Sequence, residues 1–514
     1  MRILTKEESQ YIDRMAPEKY GIPLGYLMEN AGSDVAQVLA NHYKGAKSIL
    51  FLSGNGNNGA DGLVAARHLM ELEIPVCIYL FGESQKGSQL FKEQLHMVKQ
   101  LGIAIYTSLD DIPWHTIWAV VEGLIGTGMK GELRFQMKEV IEIVQSQCEL
   151  YSISKWSIDI PAGVNANTGE VSHSSFKADY TITFGATKQG VCLYPGKEYV
   201  GHVIVKPLGI PFEKVLQNYQ AYHNTWGLDI RLIETLLRPR SAIAHKGRNG
   251  HTLVIGGSNG MIGAPLMAGE ASVHSGAGKT TVAVPDDCLR TLQNKVMPEV
   301  MTASFRSVSD IMDLVKDKSV LALGPGLGRR EETAQIVLEF LATYDGPIVL
   351  DADAFYALGD MANGETNGVL QSRSHPAIMT PHLGEFSRLT GRSILDIQKN
   401  YVQSARDFAI AQHVVLVLKG IPSLVALPNG TIYINMAGNS GMGTGGMGDV
   451  LTGMIAAFVA QGYEVNEAAL IGTFLHSYTA DRLGTKKLWG YTPSDVSVRV
   501  GSVISELLSP SLNV

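Results

Sequence analysis

One aspartate stands between a glycine-rich loop and an apolar run in the second half of the chain. The segment GNSGMGTGGMGDVLTGMI, residues 438–455, holds seven glycines among eighteen residues, and helical spacing of apolar residues begins at Asp449. A glycine-rich turn that opens a helix directs backbone N–H groups and the positive end of the helix dipole at one point. The segment therefore predicts an anion site. It is not a Walker A motif, because no Gly-Lys-Ser/Thr follows the glycines.

Asp449 is predicted to act as a base at this anion site. A bound phosphate would repel its carboxylate, so its use is to take a proton from a hydroxyl group that attacks the phosphorus. Two structural alternatives stay open at this point. In the first, the glycine-rich loop is only a close-packed turn that binds no ligand. In the second, Asp449 is the N-cap of the helix that follows.

The first half carries polar, glycine-bearing loops that directly follow predicted strands. They read GNGNNGADG (54–62), EGLIGTGMKGE (122–132) and DIPAGVNANTG (159–169). Ligands bind at the carboxyl ends of parallel strands, so these loops predict a second site. The glycines of the first loop have dinucleotide-binding spacing, and its Asn and Asp side chains could hydrogen-bond a ligand or coordinate a cation. An Asn-rich structural turn is the alternative.

Alternating strand and helix patterns would position these loops. The predicted strands are 48–53, 76–81, 116–124, 151–160, 178–185 and 201–207 in the first half, and 251–258, 279–285, 319–326, 347–355, 377–382, 414–420 and 431–435 in the second. Helical patterns between them predict parallel sheets covered by helices, so the fold class is α/β. Two domains are predicted, 1–215 and 216–514, and the second includes a linking helical segment at about 226–240.

Composition excludes several classes of protein. The chain has 514 residues, 45% hydrophobic and 18% charged, which suits a globular protein of two domains. A net charge of −7 argues against a nucleic-acid partner. The cysteines lack zinc-binding spacing and indicate a reducing compartment; they are Cys77, Cys148, Cys192 and Cys288. Without a signal peptide or a membrane-spanning apolar run, we expect a cytoplasmic protein with no membrane partner.

The order and spacing of these motifs resemble the bifunctional NAD(P)H-hydrate repair enzymes over nearly the whole chain. The first half carries GNGNNGADG, GLIGTGMKGE, SIDIPAG and TFGATKQG, and the second carries HKGRNGH, VIGGSNGMIGA, SGAGK, LGPGLG, DADAF, TPHLGEF, LKGIPS and GNSGMGTGGMGDVLTG. The resemblance implies an N-terminal Rossmann-like domain of three α/β/α layers that interconverts the two C6 epimers of hydrated NADH or NADPH. It also implies a C-terminal ribokinase-like α/β domain that dehydrates the S epimer while ATP or ADP is cleaved.

In the C-terminal domain the resemblance makes Asp449 the catalytic base and places Mg²⁺ beside the nucleotide phosphates. The positions implied to contact the hydrate are Gly326, His382, Leu383, Gly384, Glu385, Phe386, Ser387, Arg388 and Asp449. The positions implied to bind the nucleotide are Lys419, Gly420, Ile421, Pro422, Ser423, Asn439, Thr444, Gly445, Gly446, Met447 and Gly448. The carboxylates of Asp351 and Asp353 are interpreted as braces for loops, outside the catalytic set.

In the N-terminal domain the resemblance makes Asp159 the acid/base. The positions implied to contact the hydrate are Asn57, Asn58, Gly59, Ala60, Asp61, Gly126, Thr127, Gly128, Met129, Lys130, Gly131, Glu132 and Asp159. Potassium is implied at Asn58, Glu122 and Ala162. Glu122 stands where Asp is usual, and Ala162, where Ser is usual, offers only its backbone carbonyl. These departures weaken the prediction of potassium binding and of epimerase activity.

Other functions fit parts of the same pattern. A vitamin-type small-molecule kinase on the ribokinase-like scaffold would share Asp449 and the anion loop. The N-terminal fold could be a non-catalytic binding scaffold, although its retained Asp159 argues against that. The interpretation as a nicotinamide dehydrogenase is supported only by the spacing of the glycines in the 54–62 loop. The predicted partner is a small-molecule substrate, hydrated NADH or NADPH, and the resemblance implies a homo-oligomer.

Overall fold

The chain forms two compact units of alternating strands and helices. The computed structural model describes residues 1–129, 131–219, 223–359 and 368–509. One unit comprises Arg2–His223, and the other comprises Asn224 onward together with Met1. The short helix at 212–216 packs Val215 and Leu216 into the core of the first unit. The predicted α/β class in two domains is confirmed, and no described helix is long and apolar enough to cross a membrane.

The N-terminal unit contains a parallel sheet of seven strands. The strands of this sheet are β2 (Ser48–Ser53), β3 (Val76–Leu80), β4 (Ala104–Tyr106), β5 (Ile117–Gly123), β6 (Ser154–Ile158), β7 (Tyr180–Phe184) and β9 (His202–Lys206), and the unit has two further short strands, β1 (Arg2–Leu4) and β8 (Thr187–Lys188). Its helices are α1 (Lys6–Tyr20), α2 (Leu24–His42), α3 (Asn57–Glu71), α4 (Gln89–Gln100), α5 (Phe135–Tyr151), α6 (Gln189–Cys192) and α7 (Phe212–Leu216). The sheet order β4-β3-β2-β5-β6-β7-β9 reverses direction between β2 and β5, while β1 pairs with β8. The loops after β2 and β5 therefore flank the crevice where ligands bind in such sheets.

Alternation of side chains along the strands builds this unit in three layers. On one face Phe51 and Trp156 pack against apolar residues of α2, α3 and α4. On the other face Leu52 and Val120 pack against α5. Helices thus cover both faces of the sheet, as the predicted Rossmann-like α/β/α architecture requires.

The C-terminal unit also contains a mostly parallel sheet. Its strands are β10 (Thr225–Leu228), β11 (His251–Ile255), β12 (Lys279–Pro285), β13 (Val300–Phe305), β14 (Val320–Leu323), β15 (Ile348–Leu350), β16 (Ile378–Met379), β17 (Val415–Leu418), β18 (Leu424–Ala426) and β19 (Ile432–Asn435). Its helices are α8 (Ile230–Leu236), α9 (Gly263–His274), α10 (Leu289–Gln293), α11 (Val308–Val315), α12 (Glu331–Thr343), α13 (Ala354–Leu358), α14 (Leu383–Thr390), α15 (Ile394–Lys399), α16 (Tyr401–Gln412), α17 (Met447–Ala460), α18 (Val465–Gly484) and α19 (Pro493–Leu508). The order is β13-β12-β11-β14-β15-β16-β17-β18-β19-β10, and among these described strands only β18 runs antiparallel to its neighbours.

Helix α17, which follows the glycine-rich loop, lies in the core of this unit. Nearly all of its residues are buried, which explains why its sequence is apolar on every side. Gly453 allows the helix to approach α9 closely, because a Cβ there would lie 2.0 Å from the carbonyl oxygen of Ala268. This packing fixes the first turn of α17, and with it Asp449, relative to the sheet.

The segment predicted as a linking helix at about 226–240 is only partly helical. Residues 225–228 form β10, which pairs with β19, because Thr225 and Trp226 favour strands. The Asp229 side chain then accepts a hydrogen bond from the N–H of Leu232 and starts α8. The sequence pattern also missed the short strands β1, β4 and β8 of the first unit and the strands β13 and β18 of the second.

Candidate functional site

The first turn of α17 presents backbone N–H groups that no side chain caps. Gly446 occupies the N-cap position with a left-handed φ of 98°, and no cap side chain accepts a hydrogen bond there. Asp449 lies one turn further on, so it is not the N-cap that the alternative interpretation required. Its carboxylate makes no hydrogen bond with any described residue. The loop can therefore hold an anion while Asp449 remains available as a base.

A buried ion pair lies beside this helix end. The ammonium nitrogen of Lys419 is 2.8 Å from Asp351 Oδ1, and Asp351 is only 1% exposed. Asp351 also accepts hydrogen bonds of 2.8 Å from the hydroxyl groups of Thr380 and Thr452. Lys419 directly faces α17, because a Cβ at position 448 would lie 3.1 Å from its Nζ. Because Gly448 has no side chain, the ammonium group of Lys419 can lie close to the positive N-terminal end of α17.

The environment of Asp449 tunes its carboxyl group to neutral pH. Burial and, after it, the negative charge of Asp351 raise the pKa of Asp449 to about 7, although the positive charge of Lys419 opposes the rise. A general base is most effective when its pKa lies near the working pH. Asp351, which the sequence interpretation left as a brace, therefore belongs to the electrostatics of the site.

The predicted substrate segment 382–388 forms the first turns of α14, next to Lys419. The Nδ1 atom of His382 accepts hydrogen bonds from the N–H groups of Gly384 (3.0 Å) and Glu385 (3.2 Å), so this nitrogen is unprotonated. Burial and then the charge of Lys419 lower the pKa of His382. The N–H of Lys419 donates to the carbonyl of Pro381, which joins the two segments.

The structure separates ligand-facing positions from positions that build the site. Phe386 is fully buried and packs against Phe408, so its ring belongs to the core. Asp353 accepts hydrogen bonds from the N–H of Gly328 and the Nε of Arg329, both at 2.9 Å. It therefore braces the loop that carries Gly326, as the sequence interpretation held.

The nucleotide-binding prediction includes one further position whose side chain builds its loop. The Oδ1 atom of Asn439 accepts hydrogen bonds from the hydroxyl of Tyr491 (2.8 Å) and the N–H of Gly441 (3.0 Å). Its Nδ2 donates to Asp481 at 2.9 Å. Of the predicted nucleotide-binding positions in this loop, Thr444 and Gly445 are exposed.

In the N-terminal unit Asp159 pairs with a buried lysine. Asp159 follows β6 in a left-handed conformation with φ 69°, which is strained for a residue other than glycine and is typical of functional sites. Its carboxylate accepts hydrogen bonds from Lys188 and from the hydroxyl of Thr183 (3.1 Å). The Lys188 side chain is 3% exposed and also donates to the carbonyl of Phe184.

Two more carboxyl groups, those of Asp61 and Asp13, interact electrostatically with the Asp159–Lys188 pair. Burial raises the pKa of Asp61 well above its ordinary value, and the negative charges of Asp159 and Asp13 add to the effect. Burial likewise raises the pKa of Asp13, on α1, to about 6, although Lys188 opposes the rise. Asp159 and these two carboxyl groups thus share the field of one ammonium group, and the raised pKa values of Asp61 and Asp13 suit them to proton transfer.

The sequence prediction missed two members of this cluster. Lys188 lies within the motif TFGATKQG, which supported the family resemblance but suggested no role for this lysine. Asp13 lies on an ordinary amphipathic helix, and no motif marks it. Both approach Asp159 only through the fold.

The predicted loops of the N-terminal unit come together around Asn58. The Nδ2 atom of Asn58 donates to the carbonyl of Ile158 (3.2 Å), next to Asp159. A Cβ at Gly126 would lie 3.2 Å from Asn58 Cγ, so the loop after β5 reaches the same place. Ala60 is fully buried, and Lys130 lies outside the described residues.

At the far end of that loop, Met129 and Glu132 are held by side-chain contacts. The carbonyl of Met129 accepts a hydrogen bond from Lys6 Nζ (3.0 Å). The carboxylate of Glu132 accepts from Ser172 (2.5 Å) and Lys138 (3.0 Å). Glu132 therefore anchors the loop through its side chain.

The predicted potassium ligands are satisfied by protein groups. Glu122 is fully buried and accepts hydrogen bonds from the N–H of Leu124 (2.7 Å), Ser157 Oγ (3.1 Å) and the N–H of Ala162 (3.2 Å). The carbonyl of Ala162 accepts one from the N–H of Phe176 (2.9 Å). Burial raises the pKa of Glu122 to about 7 despite these donors. The donor set does not require a cation, and potassium binding stays a prediction.

Replacing Glu122 with Ala should destabilise the N-terminal unit by about 2–4 kcal/mol, because three buried donors lose their acceptor. Urea unfolding measures this change, and Glu122→Gln, which keeps one acceptor oxygen, is the matched control with a smaller loss. Because the pKa rises from 4.5 to about 7 on folding, the favourable contribution of this carboxyl is present below pH 4.5 and is lost as pH passes 7. A pH-independent effect of the Gln substitution would contradict this assignment.

Comparison with known proteins identifies the family of this chain. A bifunctional NAD(P)H-hydrate repair enzyme of Thermofilum pendens is 34% identical over 505 residues, which cover 94% of this chain and 92% of the relative. The chain belongs to the bifunctional NAD(P)H-hydrate repair enzyme family. Residues 252–500 match the family model described as NAD(P)H-hydrate dehydratase, and residues 25–190 match the model described as YjeF-related protein N-terminus.

Solved structures resemble the C-terminal unit of this repair-enzyme family member. A ribokinase-like superfamily protein of Enterococcus faecalis is 26% identical and matches 57% of this chain and 100% of its own, with a TM-score of 0.50. An ADP/ATP-dependent NAD(P)H-hydrate dehydratase of Bacillus subtilis, co-crystallised with ATP and Mg²⁺, is 30% identical and matches 56% and 100% of the two chains, with a TM-score of 0.49. The predicted family and ribokinase-like fold are confirmed.

Proposed function

We propose that the C-terminal domain, residues 216–514, dehydrates S-configured NAD(P)H hydrate at the expense of ATP or ADP, with Asp449 as the base. The observation that carries this proposal is the unbonded carboxylate of Asp449 at the uncapped end of α17, beside Lys419. Hydroxide is a poor leaving group, whereas phosphate is a good one. Transfer of a phosphoryl group to the hydroxyl group of the hydrate therefore creates a good leaving group, and this site has the base and the anion-binding N–H groups that such a transfer needs.

The reaction begins at the hydroxyl group on C6 of the hydrate. Asp449 takes its proton while the oxygen attacks the terminal phosphorus of the nucleotide, and ADP leaves from ATP, or AMP from ADP. The N–H groups of 445–448 stabilise the charge on the transferred group. The C6–O bond then breaks, phosphate leaves, and loss of the C5 proton restores the ring double bond.

Lys419 has a positioning role in this scheme. Its ammonium group, held by Asp351, faces the helix end that receives the phosphates, so it adds positive charge without moving. Mg²⁺ would be held mainly by the nucleotide phosphates and by water, because it keeps several waters and uses few protein ligands at such sites. That ion would neutralise phosphate charge. The segments 382–388 and 419–423 would hold hydrate and nucleotide on either side.

In the N-terminal domain, residues 1–215, we propose epimerisation of the hydrate with Asp159 as the acid/base. Epimerisation can proceed by opening of the ring or by loss and return of water. In either route a carboxyl group near C6 can donate and accept the proton. Lys188 pairs with Asp159 and holds its carboxylate in place, while the raised pKa values of Asp61 and Asp13 allow these two carboxyl groups to take part in proton transfer. The loop residues around Asn58 and Gly126 would bind the hydrate.

The same proposal includes the setting in which the enzyme works. All four cysteines are free and buried, which suits a reducing, cytoplasmic location. The partner is hydrated NADH or NADPH rather than nucleic acid or a membrane, and the assembly is a homo-oligomer. Potassium would assist epimerisation only if the carbonyl of Ala162 contributes a ligand.

The proposal is tested by incubating the protein with S-configured NADH hydrate, Mg²⁺ and ATP or ADP. We expect NADH and inorganic phosphate in equal amounts, followed by absorbance and ³¹P NMR. A vitamin-type kinase, the competing function, would form no NADH and would instead convert an added vitamin alcohol to a stable phosphate ester. That product would overturn the dehydratase proposal.

Dehydration should depend on pH through Asp449. Because burial raises the pKa of Asp449 to about 7 and the carboxylate is the active form, kcat/KM should fall as pH decreases below about 7 and level off above it. A pH series with saturating nucleotide measures this profile. A flat profile between pH 5 and 7 would show that Asp449 is not the titrating base.

A further inference from the structure

An open pocket of about 510 Å³ lies in the N-terminal unit, outside every position assigned above. It is located at the carboxyl ends of β3 and β4, beside the first turns of α5. Polar and aromatic residues line it, among them Tyr79, Phe81, Ser84, Thr107, Gln136 and Glu139. The described residues of this lining include no lysine or arginine.

Tyr79 supplies this pocket with an unused hydrogen-bond donor. The residue is only 7% exposed, and its hydroxyl group makes no hydrogen bond with a described residue. Burial raises the pKa of Tyr79, so the hydroxyl stays protonated. The hydroxyl is not one of the fully buried unpartnered atoms, so it reaches the solvent of the open pocket and can donate to a ligand there.

The pocket lies at the same edge of the sheet as the epimerase site. From β6, which ends beside Asp159, the sheet continues through β5 and β2 to β3, a span of three strand spacings or about 14 Å. The Nδ2 atom of Asn55, in the loop after β2, donates to the carbonyl of Glu83, which follows β3. In sheets of this type a dinucleotide lies across the switch point, with one nucleoside at the end of the neighbouring strand.

We propose that this pocket binds the adenosine half of the hydrated dinucleotide while its hydrated ring lies at Asp159. Tyr79 and Phe81 offer aromatic surface, and Thr107 and Gln136 offer hydrogen bonds to a purine edge. The carboxylate of Glu139 can accept a hydrogen bond from a ribose hydroxyl but repels a 2′-phosphate. The site therefore favours the hydrate of NADH over that of NADPH. This inference rests on the proposed epimerase function.

The test compares two substrates that differ only in the adenosine half. Epimerisation of the R hydrates of NADH and of reduced nicotinamide mononucleotide is followed without nucleotide, after subtraction of the spontaneous rate. Ser84→Phe fills the pocket, and Ser84→Ala is the matched control that leaves it open. We expect the Phe variant to lower kcat/KM for NADH hydrate about tenfold or more and leave the mononucleotide hydrate unchanged. Equal loss on both substrates, or loss on neither, would overturn the proposal.

A second readout does not depend on epimerase activity. Photolysis of the full-length protein with 8-azido-NAD⁺, followed by peptide mass spectrometry, should label peptides that contain 79–84 or 136–143. Label confined to other peptides would overturn the adenosine assignment even if epimerisation is observed. Conversely, labelling of the pocket peptides by a protein that does not epimerise the hydrate would contradict the proposed epimerase activity and leave the adenosine assignment intact. Glu139→Gln should also narrow the preference for NADH hydrate over NADPH hydrate, and an unchanged ratio would count against the role of Glu139.

Discussion

Replacing Asp449 with Asn should lower the rate of nucleotide-dependent dehydration by about 10²–10⁴-fold, the usual contribution of a positioned base. The amide keeps the shape and polarity of the side chain but cannot take the proton of the C6 hydroxyl group. Because α17 is fixed by core packing, the helix and its N–H groups should remain in place. Nucleotide binding should therefore change little, which isothermal calorimetry with ATP and Mg²⁺ would measure.

The matched control for Asp449→Asn is Asp353→Asn. Asp353 is a nearby carboxylate that braces the 326–328 loop through the N–H of Gly328 and the side chain of Arg329. The Asn side chain retains one acceptor oxygen, so we expect a much smaller loss of activity. If both variants retain wild-type dehydration, the base lies elsewhere.

The second large effect is expected for Lys188→Met. Without the ammonium group, Asp159 loses its ion-pair partner, and the carboxyl groups of Asp159, Asp61 and Asp13 remain together without that positive charge. Epimerisation should fall by about 10²-fold or more, because the acid/base loses the group that positions it and balances its charge. The measurement is the conversion of R to S hydrate without nucleotide.

Lys188→Arg and the second activity provide controls for this variant. Arginine keeps the positive charge, so it should restore part of the epimerase activity if charge is what matters. Dehydration of the S hydrate by the same protein reports that the C-terminal domain is intact. Wild-type epimerisation by Lys188→Met would exclude the Asp159–Lys188 pair from the mechanism.

Local sequence patterns could predict the loops of both sites and the elements that carry them. The glycine run before Asp449 predicted an uncapped helix end, because glycine spacing and helical periodicity are properties of neighbouring residues. Long apolar strands such as β2 and β12 were predicted for the same reason. Short strands with mixed burial, such as β13, carry a weaker pattern and were missed.

Ion pairs between distant segments could not be predicted in this way. Asp351 and Lys419 are 68 residues apart, and Asp159 and Lys188 are 29 apart, so only the sheet order brings each pair together. The pKa of Asp449 depends on the first pair, and the proton exchange proposed for Asp159 depends on the second. The family resemblance predicted which loops form the two sites, whereas the ion pairs beside their catalytic aspartates could be identified only from the structure.

The central claim is that one chain carries two complementary activities in two domains. The most direct measurement follows recovery of NADH from a mixture of both hydrate epimers with Mg²⁺ and ATP or ADP, using the wild type, Asp159→Asn, Asp449→Asn and a mixture of the two variants. We predict full recovery by the wild type and by the mixed variants. Asp159→Asn should stop after the S epimer, apart from slow spontaneous exchange, and Asp449→Asn should recover almost none. Failure of the mixed variants to restore recovery, or nucleotide-independent recovery, would contradict the account.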